Sequence, residues 1–291
     1  MKKIRKAVIA AAGLGTRFLP ITKAVPKSML PVVDTPTLDY IINEACAADL
    51  KEVILIVGHN AEVIERHFAP DKELENRLRA DGKEEILRTL ERISSRVKVR
   101  FVVQKEMNGI AGALLCAEEA IGNEPFALLL GDEILYAGEG EKPCVRRLCE
   151  VYEQTGKTVI AAMRVAGEDI SKYGNLGISK DGDVKEVYGL KEKPALSEKL
   201  SDYAVIGRYA VDPCVFDEIR ALKMHGSELV LTEAFANMAA KGKIAATEFE
   251  GRRYDVGDRL GYVRANLEFA LRDEHIGAAM RQIVSEIGKD L

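Results

Sequence analysis

The sequence lacks the features that would assign it to several large classes of protein. None of its apolar runs is long enough to span a bilayer, which argues against a membrane protein. Its five cysteines are odd in number and form no C-x-x-C pair, so neither a disulfide framework nor a zinc site is expected. Its four histidines show no H-E-x-x-H spacing. Cys46 and Cys116 lie in apolar helical runs and are predicted to be core residues, whereas His59 and His67 are predicted to have surface roles.

Positive charge is also not in excess. The formal net charge is -4 and the isoelectric point is near 5.8, which argues against a dedicated nucleic-acid or membrane-surface binder. The first residues are basic, but the apolar stretch after them is short and is interrupted by Gly13, so no secretory signal is predicted. We expect a cytoplasmic enzyme.

Apolar runs rich in valine and isoleucine alternate with amphipathic segments along the chain. This alternation is typical of βα units around a largely parallel sheet. Strands are predicted at Arg5–Ala11, Glu52–Val57, Lys98–Gln104, Phe126–Leu130, Thr158–Arg164, Tyr203–Val211 and Ile244–Phe249, with a hairpin around Asp181-Gly182-Asp183. Helices are predicted at Pro36–Ala48 (capped by Thr35), Ala61–Phe68, Gly112–Ala120, Pro143–Gln154, Pro213–Lys223, Leu231–Lys241 and most of Leu260–Ile287, with an exposed helix pair in the charged stretch Asp71–Ser94.

The first strand runs directly into a glycine-containing turn, A-A-G-L-G-T-R at Ala11–Arg17. Gly13 and Gly15 allow unusual backbone angles and a close approach of backbone N–H groups to a ligand. Arg17 adds a guanidinium group, which is planar and permanently charged and can donate two parallel hydrogen bonds to phosphate oxygens. The proline-rich run that follows predicts a stiff loop that holds Lys27 in a fixed place. Together these residues predict a phosphate site.

Two common phosphate loops are excluded by spacing. A P-loop requires G-x-x-x-x-G-K-[ST], whereas Lys27-Ser28 here follows Pro26. The dinucleotide fingerprint requires a glycine or alanine three places after Gly15, where this sequence has Phe18. A nicotinamide-dependent oxidoreductase is therefore disfavoured.

Carboxylates follow two other apolar segments. Asp132 comes directly after the strand that ends at Leu130, at the edge where open α/β sheets bind ligands. Asp255 occupies a similar position before a glycine turn. Each is a candidate Mg²⁺ ligand, because Mg²⁺ prefers hard oxygen donors and takes few protein carboxylates. In Glu192-Lys193-Pro194, the proline is expected to bias Lys193 toward an extended backbone that could present its ammonium group to an anion.

In combination, these motifs resemble the sugar-nucleotidyltransferase family and, within it, the bacterial UTP–glucose-1-phosphate uridylyltransferases. The resemblance covers nearly the whole chain. It rests on the Ala11–Arg17 loop, on P-K-S-M-L-P-V-V-D at Pro26–Asp34, L-L-G-D at Leu129–Asp132, E-K-P at Glu192–Pro194, V-I-G-R-Y at Val205–Tyr209, L-T-E-A at Leu231–Ala234 and Y-D-V-G-D-R-L-G-Y at Tyr254–Tyr262.

The resemblance implies a Rossmann-like, doubly wound α/β fold with a mixed, mostly parallel sheet and a smaller sugar-binding β sub-region. It implies a single domain over residues 1–291, with a nucleotide-binding part at about 1–135 and a sugar-binding and C-terminal helical part at about 136–291. The implied reaction transfers a uridylyl group from UTP to glucose 1-phosphate with Mg²⁺, giving UDP-glucose and pyrophosphate. Family members are commonly homodimers or homotetramers.

The resemblance also implies a role for each matching residue. Arg17 and Lys27 would hold the triphosphate, and Lys193 the sugar phosphate, with Asp132 completing the catalytic group. Asp132 and Asp255 would bind the metal. The nucleotide would lie on Ala11, Ala12, Gly13, Leu14, Gly15, Gln104 and Gly109, and the sugar on Gly174, Glu192, Lys193 and Gly207.

Some positions depart from the family pattern. Ala111 and Gly112 stand where the family has glycine and histidine, and Ser28 stands where it has glutamate. Val230 and Glu233 replace a usual glutamine and aspartate. We expect catalysis to survive and nucleotide choice or affinity to shift. The alternatives are a related transferase with another base preference (dTTP, CTP or ATP) and a non-catalytic regulator that binds sugar nucleotides.

Overall fold

A computed structural model describes residues 2–58, 61–165 and 167–289. The strands are β1 (Lys6–Ala10), β2 (Pro31–Val32), β3 (Thr35–Pro36), β4 (Glu52–Val57), β5 (Lys98–Val103), β6 (Phe126–Leu130), β7 (Glu133–Tyr136), β8 (Thr158–Arg164), β9 (Gly174–Lys180), β10 (Lys185–Glu192), β11 (Tyr203–Val211), β12 (Ile244–Glu248) and β13 (Arg252–Asp255). The helices are α1 (Thr37–Ala47), α2 (Ala61–Phe68), α3 (Lys72–Ala80), α4 (Glu84–Ser95), α5 (Gly109–Ile121), α6 (Cys144–Thr155), α7 (Val215–Arg220), α8 (Leu231–Ala240), α9 (Arg259–Arg272) and α10 (Gly277–Ile287).

The main sheet has the strand order β5-β4-β1-β6-β11-β8-β12-β10-β9. Strands β5, β4, β1 and β6 pair in parallel, as do β8 and β12. Strand β11 is antiparallel to both β6 and β8 and thereby joins the two halves of the sheet. The mixed α/β fold is confirmed. Its parallel pairs lie mainly in the first half of the chain, and the predicted hairpin is formed by antiparallel β9 and β10.

Both faces of the central strands of the sheet are buried. Along β1, Val8 packs into one hydrophobic cluster, while Ala7 and Ile9 pack into a second cluster on the opposite face. The first cluster includes side chains of α5, α7 and α8, and the second includes side chains of α1 and α6. Because alternate strand residues face opposite sides, strands covered on both faces consist of near-continuous apolar runs. The apolar runs in the sequence have this cause.

Three predictions about a helix cap, a buried cysteine and a helix start are wrong. Thr35 does not cap α1, because it pairs with Val32 in the β2–β3 hairpin and its hydroxyl donates to Asp34. Cys116 is exposed rather than buried, because it lies on the face of α5 opposite to Leu114 and Ala117. Helix α5 begins at Gly109, a turn earlier than predicted.

The remaining predictions for single residues and segments have mixed outcomes. Cys46 is half-buried and packs against the core. The Nε2 atom of His67 lies 3.0 Å from Asp39 in a partly buried contact, and His59 lies outside the described residues. The charged stretch forms the mostly exposed pair α3 and α4, as predicted. Within the described ranges, none of the helices combines the length and the apolar character needed to cross a membrane.

Glu268 on α9 is the centre of a polar cluster that holds this helix against β13. It accepts hydrogen bonds from Tyr254, Arg264 and Arg272 and lies 3.0 Å from Arg252. Burial alone would raise the pKa of Glu268, but these donors and positive charges outweigh it and lower the pKa from 4.5 to about 2. The cluster therefore stabilises the ionised carboxylate in the folded protein.

We predict that Glu268→Gln lowers the free energy of unfolding at pH 7 by roughly 1.5–3 kcal/mol, the range for hydrogen bonds to a charged group. Since the folded-state pKa lies below the unfolded value, this stabilisation is fully present above about pH 4.5 and is lost as the pH falls toward 2. Urea denaturation between pH 3 and 7 measures it. Glu274→Gln, at an exposed position after α9, is the control, and an equal effect of both variants would contradict the prediction.

Candidate active site

A groove of about 790 Å³ lies at the carboxyl ends of β1 and β6, where open α/β sheets bind ligands. All of the site residues proposed from the sequence line it: Ala11, Ala12, Gly13, Leu14, Gly15, Arg17, Lys27, Gln104, Gly109, Asp132, Gly174, Glu192, Lys193, Gly207 and Asp255. They come from both halves of the chain.

The glycine loop has the predicted unusual backbone angles at Gly15 but not at Gly13. Gly15 has a φ of 63°, which favours glycine, and its position leaves room for Lys27 and Thr22, each of which would lie 3.0 Å from a Cβ atom at Gly15. The hydroxyl of Thr22 donates to the carbonyl of Gly15 at 2.8 Å. A Cβ atom at Gly13 would meet nothing within 4 Å. The loop is thus packed closely against its neighbours at Gly15, whereas there is free space beside Gly13.

Lys27 and Asp132 form the central ion pair of the groove, with 2.9 Å between Nζ and Oδ2. Lys27 begins a short 3-10 turn, and Asp132 follows β6 after Gly131. A Cβ atom at Gly131 would lie 2.6 Å from the carbonyl oxygen of Ala10. Glycine therefore lets the ends of β1 and β6 approach each other, which brings Asp132 close to the loop.

Asp255 lies beside the same ion pair. A Cβ atom at Gly257 would lie 2.8 Å from Oδ1 of Asp255 and 2.9 Å from both Oδ2 of Asp132 and Nζ of Lys27. Two carboxylates and an ammonium group therefore surround one small space. Burial raises the pKa of Asp255, the nearby Arg253 lowers it, and the negative charge of Asp132 adds to the increase.

This arrangement suits Mg²⁺ better than a structural zinc ion. Among the described residues there is no group of three or more histidine, cysteine, aspartate or glutamate side chains that could hold a metal. A structural zinc site needs such a group, whereas Mg²⁺ is commonly held by one or two carboxylates together with substrate phosphates and water. Asp132 and Asp255 are two neighbouring carboxylates that could hold such an ion.

Arg17 reaches the same region from the other side. Its Nη1 donates to the carbonyl of Gly257 at 3.3 Å. Its own carbonyl accepts a hydrogen bond of 2.8 Å from Nε of Arg259 at the start of α9. The glycine loop is therefore attached to the C-terminal half of the chain.

The backbone at Lys193 differs from the prediction. Lys193 has a φ of 41° rather than an extended conformation, although Pro194 follows it. Its N–H donates to the carbonyl of Tyr173 at 3.1 Å, and this contact holds the unusual geometry. Such strained residues cluster at functional sites. The neighbouring Glu192 accepts a hydrogen bond of 2.6 Å from Thr232, a residue that had no assigned role.

Sequence reasoning also missed a mostly buried ion pair in the wall of the groove. Arg253 donates to both carboxylate oxygens of Glu133, at 2.8 and 2.9 Å, and its Nη2 lies 3.4 Å from Asp255. Glu133 also accepts from the backbone N–H of Gly207 at 3.1 Å. The signal was present in the sequence, because a carboxylate at a buried strand position must find a partner.

The substituted positions Ala111 and Gly112 do not line the groove. Both are buried in the first turns of α5, while Gly109, Ile110 and Ala113 face the groove. Because the helix begins at Gly109, residues 109–111 are helical although the predicted helix began only at Gly112. These two departures from the family pattern therefore lie behind the groove surface, whereas two others, Ser28 and Val230, line it.

A protein-family profile described as "Nucleotidyl transferase" matches residues 6–271. The chain belongs to the nucleotidyl transferase family. It is 41% identical over 289 residues to a UTP–glucose-1-phosphate uridylyltransferase of Staphylococcus epidermidis, with 99% of each chain covered. The predicted resemblance to these enzymes is confirmed.

Solved structures of nucleotidyl transferases agree with the fold. A UTP-bound UGPase from Acinetobacter baumannii has a TM-score of 0.90 and 30% identity, covering 97% of this chain and 99% of its own. A UDP-glucose pyrophosphorylase complexed with UDP-glucose has a TM-score of 0.85 and 33% identity, covering 93% and 100%. The Rossmann-like α/β fold class is therefore confirmed.

We predict that Glu133→Gln lowers the free energy of unfolding by about 3–5 kcal/mol, because the mostly buried Arg253 guanidinium loses its two short contacts to a carboxylate and keeps only the longer one to Asp255. Asp217→Asn, which breaks the exposed contact between Asp217 and Arg220, is the matched control and should cost less than about 1 kcal/mol. Urea denaturation measures both. If Glu133→Gln lowered the free energy of unfolding as little as Asp217→Asn does, the ion pair of Glu133 with Arg253 would not be what holds β7 to β13.

Proposed function

We propose that this protein transfers the uridylyl group of UTP to glucose 1-phosphate, giving UDP-glucose and pyrophosphate. The observation that carries the proposal is the meeting of Lys27, Asp132 and Asp255 around one space beside the glycine loop. The names of the relatives, and the UTP and UDP-glucose bound to its structural neighbours, support the choice of substrates.

In the proposed reaction, an oxygen of the sugar phosphate attacks the α-phosphorus of UTP. The bond between the α-phosphorus and the bridging oxygen breaks, and pyrophosphate leaves in line. The sugar phosphate is already ionised at neutral pH, so no general base is needed. The work of the protein is to neutralise and align two anions, which Arg17 and Lys27 do for the triphosphate and Lys193 for the sugar phosphate.

Asp132 and Asp255 would hold Mg²⁺, which when bound supplies positive charge to the reacting phosphates. The pairing of Lys27 with Asp132 leaves one fewer negative charge to repel the triphosphate. Gly174, Glu192 and Gly207 would contact the glucose, and Thr232 would keep the Glu192 carboxylate in place. Gln104 and Gly109 would contact the uracil.

We further propose that residues 1–291 act as one domain, with nucleotide binding in about 1–135 and sugar binding in about 136–291. Two observations support this. Strand β6 of the first part pairs with β11 of the second part, and the candidate metal carboxylates Asp132 and Asp255 come one from each part. A homodimer or homotetramer in the cytoplasm follows from the family resemblance. The exposed apolar side chains of Leu260 and Val263 on α9 offer a surface for self-association.

We predict that Lys27→Ala and Asp132→Asn each lower kcat roughly 10²-fold or more, because each removes a preorganised charge at the reacting phosphates. Pyrophosphate release from UTP and glucose 1-phosphate, measured with and without EDTA, tests this. Activity should vanish in EDTA and return with Mg²⁺. Pyrophosphate release by neither the wild type nor any variant would instead support the non-catalytic regulator.

We predict that Lys193→Ala raises the KM for glucose 1-phosphate at least tenfold and lowers kcat, while the Kd for UTP changes less than about threefold. The reason is that Lys193 lies on the proposed sugar side of the groove. Lys191→Ala, two residues earlier in the exposed pair with Glu198, is the control. Steady-state kinetics and calorimetry separate the two substrates, and an equal loss of UTP binding would argue against this assignment.

A further inference from the structure

The side-chain amide of Gln104 has a defined orientation. Its Nε2 atom donates to Oδ1 of Asn108 at 3.1 Å and to the carbonyl of Gly109 at 3.3 Å. An amide NH₂ group has two protons, and both are engaged by these acceptors. Gln104 is 5% exposed and lines the groove, so Oε1 is the atom of its amide left to receive a ligand.

Asn108 can hold this amide only because residue 112 is glycine. A Cβ atom at Gly112 would lie 1.8 Å from Oδ1 of Asn108 and 2.2 Å from Cγ, far inside van der Waals contact. The Asn108 side chain therefore occupies the space that any side chain at position 112 would need. The carbonyl of Asn108 also accepts a hydrogen bond from the N–H of Leu229 at 2.9 Å, which attaches this turn to the segment before α8.

The neighbourhood of Gln104 suits an uncharged ring. Met107, Ile110 and Leu229 line this end of the groove, and Glu228, which packs against Gly109, is exposed. The ion pair of Lys27 with Asp132 marks the part suited to phosphates. A nucleotide with its phosphates there and its base near Gln104 would meet one fixed hydrogen-bond acceptor.

We propose that Asn108 is a positioning residue that fixes Gln104 so that the site selects a pyrimidine carrying a proton on N3, as uracil and thymine do. Oε1 accepts that proton. Cytosine has an unprotonated N3, which is itself an acceptor. Oε1 of Gln104 and N3 of cytosine would then face each other without a proton between them, and both would be buried without a hydrogen bond. The proposal rests on the proposed function for the placement of the base, and it assigns to Asn108 and Gly112 a joint role in base choice.

The test compares the Kd of UTP with that of CTP by calorimetry in the presence of Mg²⁺, because binding does not depend on turnover. Asn108→Ala should lower the preference for UTP at least about tenfold, since the released amide can rotate and offer Nε2 to cytosine. Asn108→Asp retains an acceptor for Nε2 and should keep the preference within about threefold. Cys116→Ser, on the exposed face of the same helix, is the control.

Gly112→Ala provides a second, independent variant. It should lower the preference for UTP as much as Asn108→Ala does. The double variant Asn108→Ala/Gly112→Ala should lower that preference no further than Asn108→Ala alone, because both changes remove the same contact between Asn108 and Gln104. Thermal unfolding confirms that each variant is folded.

The outcomes separate this inference from the proposed function. An unchanged ratio of the two Kd values in folded Asn108→Ala, or no preference for UTP in the wild type, would overturn the inference. A fall in that ratio upholds it, even if pyrophosphate release shows no transfer and the proposed function fails. Loss of preference in Asn108→Asp equal to that in Asn108→Ala would also overturn it.

Discussion

The geometry of the groove depends on the buried ion pair between Glu133 and Arg253. The pair joins β7 to β13, whose register places Glu133 directly opposite Asp255, and Glu133 also holds β11 through Gly207. Asp132 directly precedes Glu133, and Asp255 lies two residues after Arg253. The separation of the two candidate metal carboxylates is therefore set by an interaction between their neighbours in the chain. A buried ion pair stabilises little on balance, but its loss leaves an uncompensated charge.

Three positively charged side chains of the groove, those of Arg17, Lys27 and Lys193, share a second constraint, because irregular backbone holds each of them. Arg17 follows the left-handed Gly15, Lys27 begins a 3-10 turn, and Lys193 itself has a positive φ. Each of these segments is fixed by hydrogen bonds or by close packing. Charges that are fixed before the ligand arrives need little reorganisation during the reaction, which is how preorganised sites lower a barrier.

The main features of this fold could be predicted from the sequence because local patterns report on local structure. The apolar runs of β1, β4 and β6, the Asp181-Gly182-Asp183 turn and the glycine loop each have a cause within a few residues. The partnership of β11 with β6 has no such local signal, because it depends on pairing across about 80 residues. The prediction therefore described the elements better than their order in the sheet.

Errors at single residues have the same origin. Thr35 has the side chain of a helix cap, but pairing with Val32 determines its conformation. Pro194 biases Lys193 toward an extended form, but the carbonyl of Tyr173 holds it in another. The residues that line the groove were found because glycine, lysine and aspartate have chemical roles that their sequence context reveals. Glu133 and Asn108 were missed because their partners are distant or are known only after folding.

The close approach of Asn108 to Gly112 has a consequence for how such a site can change over generations. The observed Asn108 conformation and any side chain at position 112 exclude each other, so glycine at 112 has to be present before asparagine at 108 can hold the neighbouring amide. Glycine inside a helix costs about 1 kcal/mol relative to alanine. A lineage must therefore accept a slightly less stable α5 before it gains anything from Asn108. It cannot later replace Gly112 by alanine to stabilise the helix without losing the contact of Asn108 with Gln104.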